Sequence, residues 1–154
     1  MKTIITSAAL VFVINTVSAQ KVKEAEVPKA VTESFTKNFP GSKAKEWEKE
    51  KDTYEAEFNL NKVETSASFS ADGKLMETET EIATSTLPKT ITEYITKNYA
   101  GHKLSEASKI VDAKGTVTYE AEVKKGKEEM DLIFDSTGAF IKKEVEEKGT
   151  KDKD

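Results

Sequence analysis

Apolar residues recur at every fourth position in two short segments of the chain, and a proline stands near the start of each segment. The first stripe is Val27, Val31, Phe35 and Phe39, and the second is Leu87, Ile91, Ile95 and Tyr99. A spacing of four places each stripe on one side of an α-helix and leaves Lys and Glu on the other side. Pro28 and Pro88 suit a first helical turn, and a glycine follows each stripe. We therefore predict two amphipathic helices.

After each helix the apolar period changes from four to two, which is typical of strands with one buried face. The alternating positions, apolar except for Thr65, are Tyr54, Ala56, Phe58 and Leu60, then Val63, Thr65, Ala67 and Phe69. Asp72-Gly73 predicts a tight turn into a further strand, and the same series returns from Tyr119 to Val145. With a first strand between each helix and its tyrosine, both segments predict the order α-β-β-β-β.

The two segments are copies of one repeat. Residues 28–43 and 88–103 are identical at nine of sixteen positions, and Tyr54-Glu-Ala-Glu57 matches Tyr119-Glu-Ala-Glu122. A copy of about sixty residues buries little apolar surface alone. We therefore predict an α+β fold in which the copies, 20–84 and 85–147, lie side by side. Both helices cover one face of a shared antiparallel sheet.

The two ends of the chain differ from the repeats. Residues 1–19 contain Lys2, an apolar stretch and small residues before Gln20, which is typical of a secretory signal peptide cleaved after Ala19. The apolar stretch is too short and too polar for a stable membrane anchor. We therefore predict a periplasmic or secreted protein. Residues 148–154 carry no apolar side chain and are predicted to be disordered.

Composition argues against several classes of function. The chain has 28 acidic and 24 basic residues, every basic residue is lysine, and the lysines alternate with acidic residues. Nucleic acid is therefore not an expected partner. There is no cysteine, and the one histidine, His102, is interpreted as a surface residue because no nucleophile motif accompanies it. We predict no cofactor, no metal site and no enzymatic activity.

The sheet face opposite the helices is predicted to be strongly acidic. Strand parity places on it Glu55, Glu57, Glu64, Glu120, Glu122, Glu129 and Asp131, together with Glu77, Glu79 and Glu81. These side chains either keep an open sheet soluble or bind a basic protein, a cationic peptide or a divalent cation. Calcium ranks last because the chain lacks an Asp-x-Asp-x-Asp-Gly loop. Trp47 is left between two interpretations, a core residue or an interface anchor on this face.

The motifs Val-Pro-x-x-Val, Phe-Pro-Gly-x-Lys, Trp-Glu-Lys-Glu, Tyr-Glu-Ala-Glu-Phe and Phe-x-x-Asp-Gly-Lys occur in this order over residues 27–74, with a weaker copy over 87–140. This series resembles the PepSY-like, beta-lactamase-inhibitor-like family of exported bacterial proteins. The resemblance implies a relative of an inhibitor that grips a hydrolase with its open, concave sheet face. We therefore expect a non-catalytic binding or inhibitor-like module that contacts another envelope protein. The alternative is a structural protein that sequesters cations or cationic peptides.

Overall fold

The structure, a computed structural model, describes residues 20–145. The predicted signal peptide at 1–19 and the predicted tail at 148–154 lie outside the described residues. Two helices, α1 (Lys29–Asn38) and α2 (Lys89–Asn98), each follow a single 3-10 turn. No helix within 20–145 is both long and apolar enough to cross a membrane. The strands are β1 (Gln20–Val22), β2 (Ala44–Glu50), β3 (Thr53–Leu60), β4 (Val63–Ser70), β5 (Leu75–Glu81), β6 (Lys103–Asp112), β7 (Val117–Lys125), β8 (Glu128–Asp135) and β9 (Phe140–Val145).

The described strands form one antiparallel sheet whose spatial order follows the chain from β1 to β9. Strands β2 to β5 follow α1 and strands β6 to β9 follow α2, so the predicted repeat order and the shared sheet are confirmed. The copies meet where β5 pairs with β6, from Glu77 opposite Asp112 to Glu81 opposite Ser108. The sheet is therefore a continuous meander rather than two separate sheets.

Strand β1 is an element that the apolar pattern did not predict. Gln20 pairs with Lys49 of β2, and Thr80 of β5 pairs with Lys109 of β6. Because the copies are offset by sixty residues in this region, β1 is the counterpart of the last residues of β5. A three-residue strand carries too short an alternation to be detected as a strand from sequence.

The first copy packs an aromatic core between α1 and the sheet. Val31 and Phe58 are fully buried, and the Phe35 ring meets the Phe58 ring edge-on with 5.0 Å between centroids. Trp47 is 4% exposed and lies edge-on to Phe35 at 5.5 Å. Trp47 is thus a core residue, and its interpretation as an anchor on the open face is wrong.

A bulge explains why the orientation of Trp47 was ambiguous in the sequence. The β2–β3 register shifts between Ala44 and Glu46, and the β6–β7 register shifts at the corresponding place between Leu104 and Glu106. A bulge adds one residue to a strand and reverses the alternation beyond it. Ala44 and Trp47 can therefore pack against the same core although they are three positions apart.

The second copy has a separate core beneath α2. Ile91 and Ile95 pack with Leu132 and Phe134 in this cluster. Ala107 stands where the first copy has Trp47, and Tyr94 stacks on Phe140 with 5.0 Å between ring centroids. The apolar cores of the copies are distinct, so pairing of β5 with β6 is the main connection between them.

The turn after β4 touches the first turn of α1. Gly73 has a φ of +85°, and a Cβ added there would overlap the carbonyl oxygen of Ala30. Gly41 has nearly the same φ, +83°, but a Cβ added there would meet nothing within 4 Å. Substituting alanine at each of the two glycines therefore distinguishes the energetic cost of a left-handed backbone, which both positions share, from the cost of a close contact, which only Gly73 has.

We predict that Gly73→Ala destabilises the protein more than Gly41→Ala does. Gly41→Ala should lower the free energy of unfolding by about 1–2 kcal/mol, because an L-residue there adopts the left-handed region. Gly73→Ala should lower it by about 2–5 kcal/mol, because the overlap with the α1 backbone adds to that strain. Urea denaturation measures both values. Equal losses in the two variants would contradict the close contact between turn and helix.

Candidate functional site: the open acidic face

The open face of the sheet carries the side chains that alternate with the buried ones. Ala56 and Phe58 are buried beneath α1 and Ala121 and Val123 are buried in the core beneath α2. The intervening glutamates therefore point to the opposite side. This places on the open face the predicted residues Glu55, Glu57, Glu64, Glu77, Glu79, Glu81, Glu120, Glu122, Glu129 and Asp131. The face belongs to both copies.

A groove of about 620 Å³ crosses the open face where the two copies meet. Its carboxylates are Glu55, Glu57, Glu64, Glu79, Glu81 and Glu106. Ser66, Ser105 and Ser108 add hydroxyl groups to its wall. The first copy contributes β3, β4 and β5, and the second contributes β6. The groove therefore exists only in the joined pair of repeats.

Carboxylates lie directly opposite one another on neighbouring strands of this face. Glu46 pairs with Glu57, and Glu48 pairs with Glu55, across β2 and β3. In the second copy, Glu106, Glu122, Asp131 and Glu144 form one row across β6, β7, β8 and β9. Like charges in directly opposite positions destabilise a sheet. The open face is thus arranged at some cost to folding.

Burial makes the carboxyl groups near the centre of the face harder to ionise. It raises the pKa of Glu79 above the ordinary glutamate value, while a hydrogen bond from Ser108 acts in the opposite direction. Burial also raises the pKa of Glu77, with a further contribution from Glu55. The charge of Lys142 on β9 opposes that shift although three strands separate β9 from β5. Both carboxyl groups are therefore harder to ionise than an ordinary glutamate.

Lysine compensates the acidic charge at the rim of the face but not at its centre. The Lys124 amine lies 2.8 Å from Glu122 and 2.9 Å from Glu129, and these hydrogen bonds raise the pKa of Lys124. Lys45 lies 4.0 Å from Glu64. Among residues 20–145, no ion pair involves the carboxylates at the centre of the groove. These are Glu55, Glu57, Glu79, Glu81 and Glu106.

The structure therefore divides the predicted site residues into two groups. Glu55 and Glu57 line the central groove, and Glu64 lies at its edge. Glu122 and Glu129 are bound to Lys124 instead. Glu106 was missed although it lines the groove, because the bulge after Leu104 hides its parity in the sequence. The signal in the sequence that could have assigned Glu106 to this face was the series of acidic residues on the neighbouring strands of the second copy.

His102 is not the surface residue that the sequence suggested. Its side chain is only 12% exposed, because it packs edge-on against Tyr99 at the end of α2. Nδ1 lies 3.3 Å from the Tyr99 carbonyl oxygen, and Nε2 lies 3.6 Å from a carboxylate oxygen of Glu128. His102 does not line the acidic groove. Within residues 20–145, no group of three or more His, Asp or Glu is placed to hold a metal ion.

Replacing Glu79 by glutamine should stabilise the fold at neutral pH. Because the folded-state pKa of Glu79 is raised, its ionised form destabilises the folded chain above that pKa. This cost disappears as the pH falls below the ordinary glutamate value. We expect Glu79→Gln to raise the melting temperature by roughly 2–4 °C at neutral pH. Thermal unfolding followed across pH should show the difference vanishing in acid, and a constant difference would contradict the burial of a charge.

Asp135→Asn should have the opposite pH dependence and serves as the comparison. Hydrogen bonds from the Thr137 hydroxyl and from the backbone amides of Thr137 and Ala139 hold the pKa of Asp135 below its ordinary value. Its stabilising effect is present above the unfolded-state pKa and is lost as the pH falls through the folded-state pKa. The variant should melt lower than the wild type at neutral pH and equally in strong acid. A deficit that persists in strong acid would show that the charge is not responsible.

Known proteins share the sequence pattern and the architecture of this chain. The model of the PepSY-like, beta-lactamase-inhibitor-like family matches residues 15–64 and 52–142. No curated protein matches the chain significantly in sequence. A protein of Bacteroides eggerthii, provisionally described as periplasmic, is similar in structure, with a TM-score of 0.69 and 15% identity over 77% of this chain and 88% of its own.

Two further crystal structures have the same fold. A DUF2874 family protein from Bacteroides uniformis has a TM-score of 0.68 and 18% identity, covering 77% of this chain and 88% of its own. A BLIP-like protein from Bacteroides fragilis has a TM-score of 0.62 and 20% identity, covering 77% of this chain and 86% of its own. The repeat order, the one-sided helices and the matched residues agree: the chain belongs to the PepSY-like, beta-lactamase-inhibitor-like family.

Proposed function

We propose that this protein is an exported, non-catalytic binding module whose open acidic face binds a basic segment of another envelope protein. The observation that carries the proposal is the central groove. Within residues 20–145, its central carboxylates form no ion pair with lysine, whereas Glu64 at its edge and Glu122 and Glu129 at the rim of the face do. A partner that supplies lysine or arginine there provides the missing positive charge.

The cost of this arrangement argues against solubility as its only role. A charged sheet face remains soluble when lysine and glutamate alternate, and the chain has 24 lysines to use. Lys124 shows that such pairing is compatible with this face. Like charges opposite one another destabilise the sheet, and sequences depart from local stability rules chiefly at functional sites. A binding role accounts for the unpaired centre.

The family supports the same mode of binding. Its name refers to an inhibitor, and the similar protein from Bacteroides fragilis is described as BLIP-like. Inhibition implies contact with a protein through an exposed surface, and the open face is the side of this sheet that the helices leave uncovered. The predicted signal peptide at 1–19 would deliver the module to the periplasm, where such a partner is available.

Sequestration of cationic peptides is a second candidate, because the groove is wide, polar and open. The two candidates differ in selectivity. A protein interface combines charge with shape and retains a defined partner at moderate salt. Sequestration depends on charge alone and weakens for every cationic ligand as salt rises.

The groove carboxylates should account for binding of a cationic probe. We expect Glu55→Gln/Glu57→Gln/Glu79→Gln to weaken the binding of an oligolysine peptide by about tenfold at low salt, because three unpaired charges are removed. The matched control, Glu24→Gln/Glu33→Gln/Glu93→Gln, removes three charges outside the open face and should have little effect. Isothermal titration calorimetry measures both. Equal weakening in the two variants would mean that net charge alone attracts the peptide.

The same variants separate a protein partner from general sequestration. Immobilised wild-type protein and the control variant should retain a defined protein from a periplasmic extract at moderate salt, and the groove variant should lose it. Retention of many basic proteins, all released together by salt, would favour sequestration. A protein retained equally by all three forms would place the binding surface outside the groove.

A further inference from the structure

Strand β9 forms one lateral edge of the sheet within the described residues, and it corresponds to β5. Each strand follows a glycine turn and carries a bulge at its second residue, which is Met76 in β5 and Ile141 in β9. In β5 the outer edge is covered, because Thr78 and Thr80 pair with β6. In β9 the described residues provide no such cover.

The covered edge of β5 shows which backbone groups point outwards. The Met76 carbonyl accepts a hydrogen bond from the Ala113 amide at 2.7 Å, and the Ile82 amide donates to the Ala107 carbonyl at 2.9 Å. Outward groups in an antiparallel strand belong to every second residue. At the corresponding positions of β9, the outward groups belong to Ile141, Lys143 and Val145.

The side chains of β9 match a second β9 that runs in the opposite direction. About a two-fold axis at Lys143, Ile141 lies opposite Val145 of the other copy, and Lys142 lies opposite its Glu144. Ile141 and Val145 are 52% and 58% exposed, more than any other large apolar side chain between residues 20 and 145. We propose that β9 is a self-association edge that joins two copies of this protein into one continuous antiparallel sheet.

Charge and pairing geometry favour this register. Lys142 and Glu144 already form an ion pair within one strand, which shows that both side chains lie on the same face. In the joined sheet they would occupy non-hydrogen-bonded pairs, where opposite side chains are closest. The two positions Ile141 and Val145 would occupy hydrogen-bonded pairs and cover each other. Ile141 of each copy thus contacts Val145 of the other copy, which is the reciprocal contact that a two-fold interface requires.

Lys143 limits the strength of this interface. It lies opposite itself at the axis, whereas the corresponding residue of β5 is the uncharged Thr78. A single five-residue edge also buries less than the roughly 1,200 Å² typical of stable complexes. The association is therefore weak and depends on protein concentration, which agrees with the use of lysine to restrain exposed sheet edges.

A head-to-tail chain of copies is disfavoured by the other edge. There β1 already occupies the place beside β2 that corresponds to the end of β5. The two-fold arrangement leaves β1 in place and closes after two copies. Because opposite residues in a sheet share a face, both acidic grooves would open on the same side, and the pair could bind two basic segments of one partner.

Charge reversal tests the register directly. Lys142→Glu and Glu144→Lys should each weaken self-association by about tenfold or more, because like charges then face each other across the axis twice. Lys142→Glu/Glu144→Lys should restore it, because the opposite charges are exchanged rather than lost. Lys143→Thr should strengthen it by removing the repulsion at the axis. Sedimentation equilibrium of the mature protein measures all four, with circular dichroism to confirm folding.

The proposal is overturned if wild type and Lys143→Thr both remain monomeric up to about 1 mM, the concentration at which even weak complexes are populated. It is also overturned if a dimer forms that neither single reversal affects. Lys143→Pro provides an independent check, because by analogy with Thr78 its amide points away from β8. This variant should fold and remain monomeric, and a dimer of unchanged affinity would exclude the β9 edge.

Discussion

Burial on one side of the sheet is the constraint on which the rest of this structure depends. Each copy has one ten-residue helix, and the stripe on that helix covers one face of its strands. The alternation of apolar and polar residues then has only one solution, since a shift by one residue would place glutamates beneath the helix. The aromatic contacts of Phe35 with Phe58 and Trp47 fix that register in the first copy.

The same constraint creates the acidic face. With no second layer to cover it, the other side of the sheet is mostly polar, and carboxylates occupy many of its positions in both copies. Burial among these neighbouring carboxylates raises the pKa of Glu77 and Glu79, and the charge of Glu55 adds to both shifts. The electrostatic character of the groove is thus a consequence of fold geometry as well as composition.

Duplication explains how the sheet is joined and why the groove lies between the copies. Pairing of β5 with β6 joins the copies through backbone hydrogen bonds while their apolar cores remain separate. The groove lies across this junction, so neither copy contains it alone. The two lateral edges of the described sheet correspond to the two sides of this junction. At one edge β1 pairs with three residues of β2, the strand that corresponds to β6, and at the other edge lies β9, the strand that corresponds to β5.

The sequence by itself determined the repeat, the helices, the strand order within each copy and the side of the sheet on which most glutamates lie, because these follow from local periodicity. Only the tertiary structure decided the position of Trp47 and the place of Glu106 in the groove. The bulges after Ala44 and Leu104 reverse the alternation of side chains between the two sheet faces, and the sequence alone does not reveal that reversal. The pairing of Lys124 with Glu122 and the burial of His102 against Tyr99 also depend on residues brought together by sheet register and loop packing. Such contacts between distant residues leave no periodic trace in the chain, which is why the charge pattern was predictable and its compensation was not.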